Sequence, residues 1–149
     1  MSSLAKLYDL SSVICTVAGV IVAGFAEEGG IDAQPMADRG EWTTGATGES
    51  VFSRSNNKDW TIEITCLETS KTYKQLAALM QAQDLAMDGF TLVPLPFLMI
   101  DQVNGDRIGA AGIVFLTSPG MNKAKKVGER VFKLGVPSPL VSFGTSNAN

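Results

Sequence analysis

No histidine occurs in the 149 residues, and that absence removes Ser-His-Asp and Cys-His catalysis together with every metal centre that relies on imidazole. The two cysteines, Cys15 and Cys66, stand far apart with no Cys-x-x-Cys spacing. They read as reduced thiols packed as small hydrophobes rather than as a metal site or a disulfide framework. Charge is scarce as well. Charged residues make up 18% of the chain, against roughly a quarter in a typical soluble protein, so much of the surface is expected to be covered by something other than water. The balance is acidic, with a net charge of -3. The short basic cluster Lys123 to Lys126 is too small for stable docking on nucleic acid or an anionic membrane. Long hydrophobic runs are missing too, because the apolar stretch Val13 to Phe25 is 13 residues long where a spanning helix needs roughly 20. Ahead of it Lys6 is balanced by Asp9, and at its end Gly24-Phe25-Ala26 is only a mediocre small-x-small cleavage site, so neither membrane insertion nor a secretory signal is expected. Synthesis in a reducing cytoplasm follows from the same absences.

What is present is mostly strand. Val13 to Phe25 is β-rich in both halves, and Ala18-Gly19 at its centre can turn the chain into a hairpin. Val13, Cys15 and Val17 point to one face while Ile14, Thr16 and Ala18 point to the other, so both faces are apolar and the second needs a cover. Ile31 to Met36 reads as a short extended piece placed at an edge or strand end by Pro35. A polar hairpin follows over about residues 37–55, with Thr43-Thr44 and Val51-Phe52 flanking the tip Gly45-Ala-Thr-Gly48. Trp60 to Leu67 alternates cleanly, with Trp60, Ile62, Ile64 and Cys66 on one face.

Ser70 caps the single expected helix, which runs to about Ala86, stops near Asp88-Gly89 and buries a stripe of Tyr73, Leu76, Ala77 and Met80. A strand from about Phe97 leads to the hairpin signal Asn104-Gly105. The return strand Arg107 to Leu116 is again apolar on both faces, with Ile108, Val114 and Leu116 on one side and Ile113 and Phe115 on the other. A last strand, Glu129 to Val136, is ended by Pro137 and Pro139, and the tail from about residue 142 to 149 is expected to be loose. Seven or eight strands and one helix within 149 residues predict one domain: a small antiparallel β-sandwich or barrel with a flanking helix.

Chemistry is hard to find in this pattern. Glu27-Glu28 is the best local carboxylate pair, and beside Gly29-Gly30 it reads as a solvated turn rather than an acid/base couple. Gly45-Ala-Thr-Gly48 lacks the Lys-Ser/Thr ending of a phosphate loop. Trp42 and Trp60 have no interleaved basic residues for stacking on bases. No catalytic residue, cofactor or metal site is expected.

The order of parts resembles the tail tube protein family of contractile-tailed bacteriophages. It runs from an N-terminal hairpin ending in Gly24-Phe25-Ala-Glu-Glu-Gly-Gly-Ile31 through the extended Asp32-Ala-Gln-Pro-Met36. A long hairpin with Thr43-Thr-Gly-Ala-Thr-Gly48 comes next, then the strand Trp60-Thr-Ile-Glu-Ile-Thr-Cys-Leu67, Glu68-Thr-Ser70 opening a helix, and a final antiparallel section. The similarity covers nearly the whole chain, and the type VI secretion tube protein is a distant relative of the same group. The resemblance implies hexameric rings with a continuous inner β-barrel, stacked into a conduit for DNA delivery inside a contractile sheath. It implies self-assembly as the main partnership, contacts with sheath, baseplate or tube-initiator and tape-measure proteins, and double-stranded DNA only in transit. It places the protein in the virion, assembled in the host cytoplasm, and makes the polar hairpin a ring-stacking arm of Trp42, Thr43, Thr44, Gly45, Gly48 and Phe52. Two readings from other classes stand beside it: a monomeric β-barrel holding an apolar ligand, which would line its cavity with the two-faced strands, and a small carboxylate hydrolase.

Overall fold

A computed structural model describes residues 13–22, 30–121 and 123–144. The described chain is mainly β with one helix. The elements are β1 (Val13–Val17), β2 (Val20–Ile21), β3 (Ile31–Pro35), β4 (Gly40–Thr44), β5 (Ser50–Arg54), β6 (Trp60–Leu67), α1 (Lys71–Asp88), β7 (Leu95–Asp101), β8 (Arg107–Thr117), β9 (Glu129–Val136) and β10 (Leu140–Ser142). Eight strands form one antiparallel sheet in the order β2-β1-β7-β8-β9-β6-β3, with β10 also on β8, and β4-β5 stand apart as a two-stranded sheet. The expected N-terminal hairpin is seen through Val22; its continuation to Phe25, the Glu27-Glu28 pair and the tail beyond Gly144 lie outside the described residues.

Ala18 and Gly19 sit at φ 50° and 85°, the left-handed pair of a type I′ turn whose twist matches the strands it joins. Asn104-Gly105 marks the β7–β8 reversal, but the loop is longer than a two-residue turn. Asp101, buried at the end of β7, accepts from the Val103 and Asn104 N–H groups through Oδ1, and its carbonyl accepts from Gly105 N–H at 2.7 Å. The second strand of this pair departs from the expected alternation, since Ile108, Ile113 and Phe115 are all buried on one side. A bulge explains it: the register with β7 shifts between Leu95↔Ile113 and Phe97↔Ala110, adding one residue to β8 and flipping its facing. Pro96 lies at that irregularity, where a missing N–H interrupts no regular ladder. β7 therefore starts at Leu95, before the second proline rather than after it.

Pro137 and Pro139 end β9 as expected, yet the chain rejoins the sheet as β10. Leu140↔Gly109 continues the register of Val114↔Gly135, so β9 and β10 are one strand interrupted by the prolines. Among the described residues the sheet does not close into a barrel. Its terminal strands among the described residues are β2, two residues long, and β3, which pairs only with β6, and a barrel needs every edge paired. Instead β8, with bulges on both sides, bends so that the β1/β7 half and the β6/β9 half share one core under α1.

That core runs through Cys15, Val17, Ile62, Ile64, Phe97, Phe132 and Leu134, with Leu76 from the helix buried among them. α1 follows the expected stripe: Leu76 is fully buried, and Tyr73, Ala77 and Met80 pack half-buried against the cluster. Ser70 caps it, its hydroxyl oxygen accepting from Tyr73 N–H at 3.2 Å. Thr72 on α1 is buried outside that stripe, and two larger polar residues also lie where an apolar pattern would not place them. Gln83 on α1 is buried and acts as a short piece of strand: its amide donates to the Val93 and Ile113 carbonyls at 3.1 and 3.0 Å and accepts from Phe115 N–H at 3.0 Å. It thereby serves β8 where β7 has not yet begun. Gln83→Leu, which leaves two carbonyls and one N–H without partners, is expected to cost about 2–3 kcal/mol, measured as a drop in the urea midpoint without a change in m.

The second is Arg130, 2% exposed on the core face of β9. Its guanidinium lies 2.7 Å from Glu68 Oε2 and 5.5 Å from the centre of the Tyr73 ring. Glu68 also accepts from Gly128 N–H, and its own N–H donates to Gly128 O, so the pair ties the start of α1 to the segment entering β9. Burial also acts on the thiols. It pushes Cys15 up to about 12 from an ordinary 9.0, and raises Cys66 despite an opposing hydrogen bond with Ser70. An acid with a raised folded pKa stays protonated in the native state where the unfolded chain has ionised, so stability is intact below pH 9.0 and falls as pH climbs toward 12. Urea midpoints are expected to drop above pH 9.0, less steeply in Cys15→Ala.

Candidate assembly surface

The polar hairpin is built to stand off the domain. β4 and β5 pair in register from Gly40↔Arg54 to Thr44↔Ser50, and Ser55 N–H closes the base on Arg39 O at 2.8 Å. At the tip, Gly45 N–H donates to Glu49 O and Gly48 N–H to Gly45 O, with Gly48 at φ 86°. Five residues per strand make an arm about 16 Å long. Every residue from Glu41 to Arg54 is exposed.

The residues singled out from sequence come together on this arm. Trp42 and Phe52 are directly opposite, ring centres 5.2 Å apart, and the Phe52 ring lies over Gly40 so closely that a Cβ there would meet it at 2.6 Å. Thr44 and Ser50 hydroxyls are 3.3 Å apart next to Gly45. Thr43 faces away, opposite Val51, which is also exposed; Val51 belongs to the arm's apolar surface, and its only sequence signal was its place beside Phe52. Trp42 keeps 70% of its surface in water and Phe52 47%. Two aromatics stacked on one another without a core behind them bury little area, and such a pair gains most of its burial from a partner.

A second surface is the face of the sheet opposite α1. On its β3-β6-β9 side the outward residues are mostly polar, Val131 being an exposed exception. Asp32 stands opposite Glu63, and Glu63 opposite Lys133, around an open groove of about 450 Å³ that Gln34, Met36 and Leu116 also line. On the β1 and β2 side it is apolar, with Ile14 and Ile21 exposed. On the second face of the N-terminal hairpin Ile14 is exposed while Thr16 and Ala18 are half-buried, and Leu116 on β8 is exposed as well. Among the described residues no three His, Cys, Asp or Glu side chains come together as metal ligands, and no helix is long and apolar enough to cross a membrane.

The fold is similar to that of several solved structures. The tube-terminating cap of the anti-feeding prophage superposes with a TM-score of 0.57 at 11% identity, over 95% of this chain and 96% of that one. A chain of the native gene transfer agent virion gives 0.58 at 10% identity, over 92% and 98%. A chain of the sheath-tube complex of an extracellular contractile injection system gives 0.58 at 6% identity, over 95% and 93%. At such identities the likeness is one of fold. No curated protein sequence matches the chain. The family model described as Bacteriophage PhiTE tail tube protein matches residues 6–135, from ahead of β1 to the penultimate residue of β9, and the chain belongs to that family of phage tail tube proteins.

Proposed function

We propose that this chain is the repeating subunit of a phage tail tube. Copies close into rings, six to a ring, and the rings stack into a hollow conduit for DNA inside a contractile sheath. The observation that carries this reading, beyond family membership, is the arm: a folded two-stranded sheet wholly outside the core that presents Trp42 and Phe52 to solvent. A monomer gains nothing from it, whereas a neighbouring ring would bury it. The exposed Ile14 and Ile21 on β1 and β2 suit the lateral neighbour in the same ring, and pairing between sheet edges would complete an inner barrel across subunits. Sheath, baseplate or tube-initiator and tape-measure proteins are the further partners, and the virion is the place of action. No catalytic role is assigned, since no group in the arm or on the sheet face pairs a nucleophile with a base.

The polar side of the sheet face, with Asp32 and Glu63 against Lys133, is assigned to the conduit. An acidic lumen lets duplex DNA slide without capture. Assembled tubes are therefore expected to show no retention of duplex DNA at low salt, and binding that falls steeply with added salt would contradict the assignment. Assembly itself is tested by sedimentation over a wide concentration range, where a species of subunit mass at every concentration would refute the proposal. The ligand-binding β-barrel is less well supported: among the described residues the sheet ends in β2 and β3, and the inward side chains of its strands pack into one core.

A further inference from the structure

We propose that the two ends of α1 are complementary halves of a head-to-tail contact between copies of this chain. The proposal rests on the self-assembly reading above and gives it a specific surface. The charges of the helix run against its own dipole. Helix N-termini favour acidic side chains and C-termini basic ones, yet the first turn holds Lys71 and Lys74 with no acid, and the last turns hold Asp84 and Asp88 with no base. Such an order weakens an isolated helix, and it makes one end of the element basic and the other acidic.

The acidic end is also apolar. Leu85 is 74% exposed on the solvent side of the helix, and Leu92 is exposed just beyond it. Phe90 is 100% exposed and is held outward by the helix ending. Its N–H donates to Met87 O and that of Thr91 to Ala86 O, with Phe90 itself at φ 60°. That is the left-handed position glycine fills by default, and Gly89 sits one residue too early to fill it, at φ -90°. A bulky aromatic in strained backbone with its side chain fully exposed is a signature of a surface kept for a partner.

The basic end carries the matching chemistry. The segment between β8 and β9 folds against the start of α1 through the Glu68 and Gly128 backbone pair and the 3.7 Å contact of Lys123 with Glu68. It carries exposed Lys125 and Lys126, and Met121 and Val127 of the same segment are exposed too. An acidic, apolar patch and a basic, apolar patch thus lie at opposite ends of an 18-residue helix, about 27 Å apart. They cannot meet within one subunit, and each fits the other on a second copy. A contact between two different patches of identical subunits repeats until a ring closes or a filament extends, and here the negative end of one helix faces the positive end of the next.

Charge reversal tests this. D84K/D88K and K125E/K126E, each alone, are expected to raise the concentration for half-maximal assembly by light scattering at least about tenfold. An equimolar mixture of the two restores both contacts and recovers assembly near the wild-type concentration. F90G, which relieves the strained position, is expected to raise the unfolding temperature while weakening assembly. Reversed variants that assemble as the wild type does would assign these ends to a different protein and overturn the contact, as would a mixture that fails to recover or an F90G chain that assembles unchanged. A wild-type chain that stays monomeric throughout overturns the assembly reading itself.

Discussion

Glu68→Ala is expected to destabilise the fold by about 3–5 kcal/mol, because it strips the partner from a buried charge. Arg130 is 2% exposed, its Nε already lacks a hydrogen-bond partner, and its only carboxylate within reach among the described residues is Glu68. Removing the acid leaves the guanidinium with the Tyr73 ring alone, and a cation–π contact of about 1–2 kcal/mol does not replace a charge-assisted hydrogen bond. The converse substitution separates pair from position. Arg130→Met keeps the volume on the core face, leaves Glu68 to Gly128 N–H and Lys123 at the edge of solvent, and is expected to be within about 1 kcal/mol of wild type. Urea denaturation of the two variants checks the asymmetry; equal losses would mean that the ion pair, rather than an abandoned charge, sets the cost.

The second large effect concerns the arm. Shortening Gly45 to Gly48, and separately Trp42→Ala, are each expected to leave the subunit folded and to abolish long tubes. The first half follows from topology: among the described residues β4 and β5 pair only with each other, so no core strand loses a ladder partner when the tip is cut. Trp42 touches Phe52 across the arm and is mostly in water, so its removal costs the subunit at most the roughly 0.5–1.5 kcal/mol of an aromatic pair. The second half follows from what a partner would bury, since a desolvated Trp at an interface commonly carries about 2 kcal/mol or more, multiplied over every subunit of a ring. Circular dichroism reads the fold, and electron microscopy reads tube length. Loss of the fold in either variant, or tubes of unchanged length, would take the stacking role away from the arm.

These two sites differ in how far the chain announces them. The arm is local: a glycine-rich tip between Thr43-Thr44 and Val51-Phe52 defines a hairpin from its own residues, and its exposed aromatics stand out against a polar background. The same holds for β6, whose alternation places Ile62, Ile64 and Cys66 in the core, and for α1, bounded by Ser70 and Gly89. The Glu68–Arg130 pair is different. The alternation Arg130, Phe132, Leu134, Val136 does put Arg130 on the core face, but its partner is 62 residues earlier, and only the β6–β9 pairing brings them together. Gln83 escapes for a related reason, since its partners are backbone groups on β8 that only the late start of β7 leaves open. The facing of β8 and the return of β10 after two prolines depend on bulges and on a shared register with a neighbour. Periodicity counts residues along one strand and is blind to both.

The most direct test of the account is negative-stain electron microscopy of the purified chain at high concentration. It predicts rings seen end-on with a central hole, and hollow rods in which those rings repeat along the axis. A field of single particles of subunit size, unchanged as concentration rises, would contradict it.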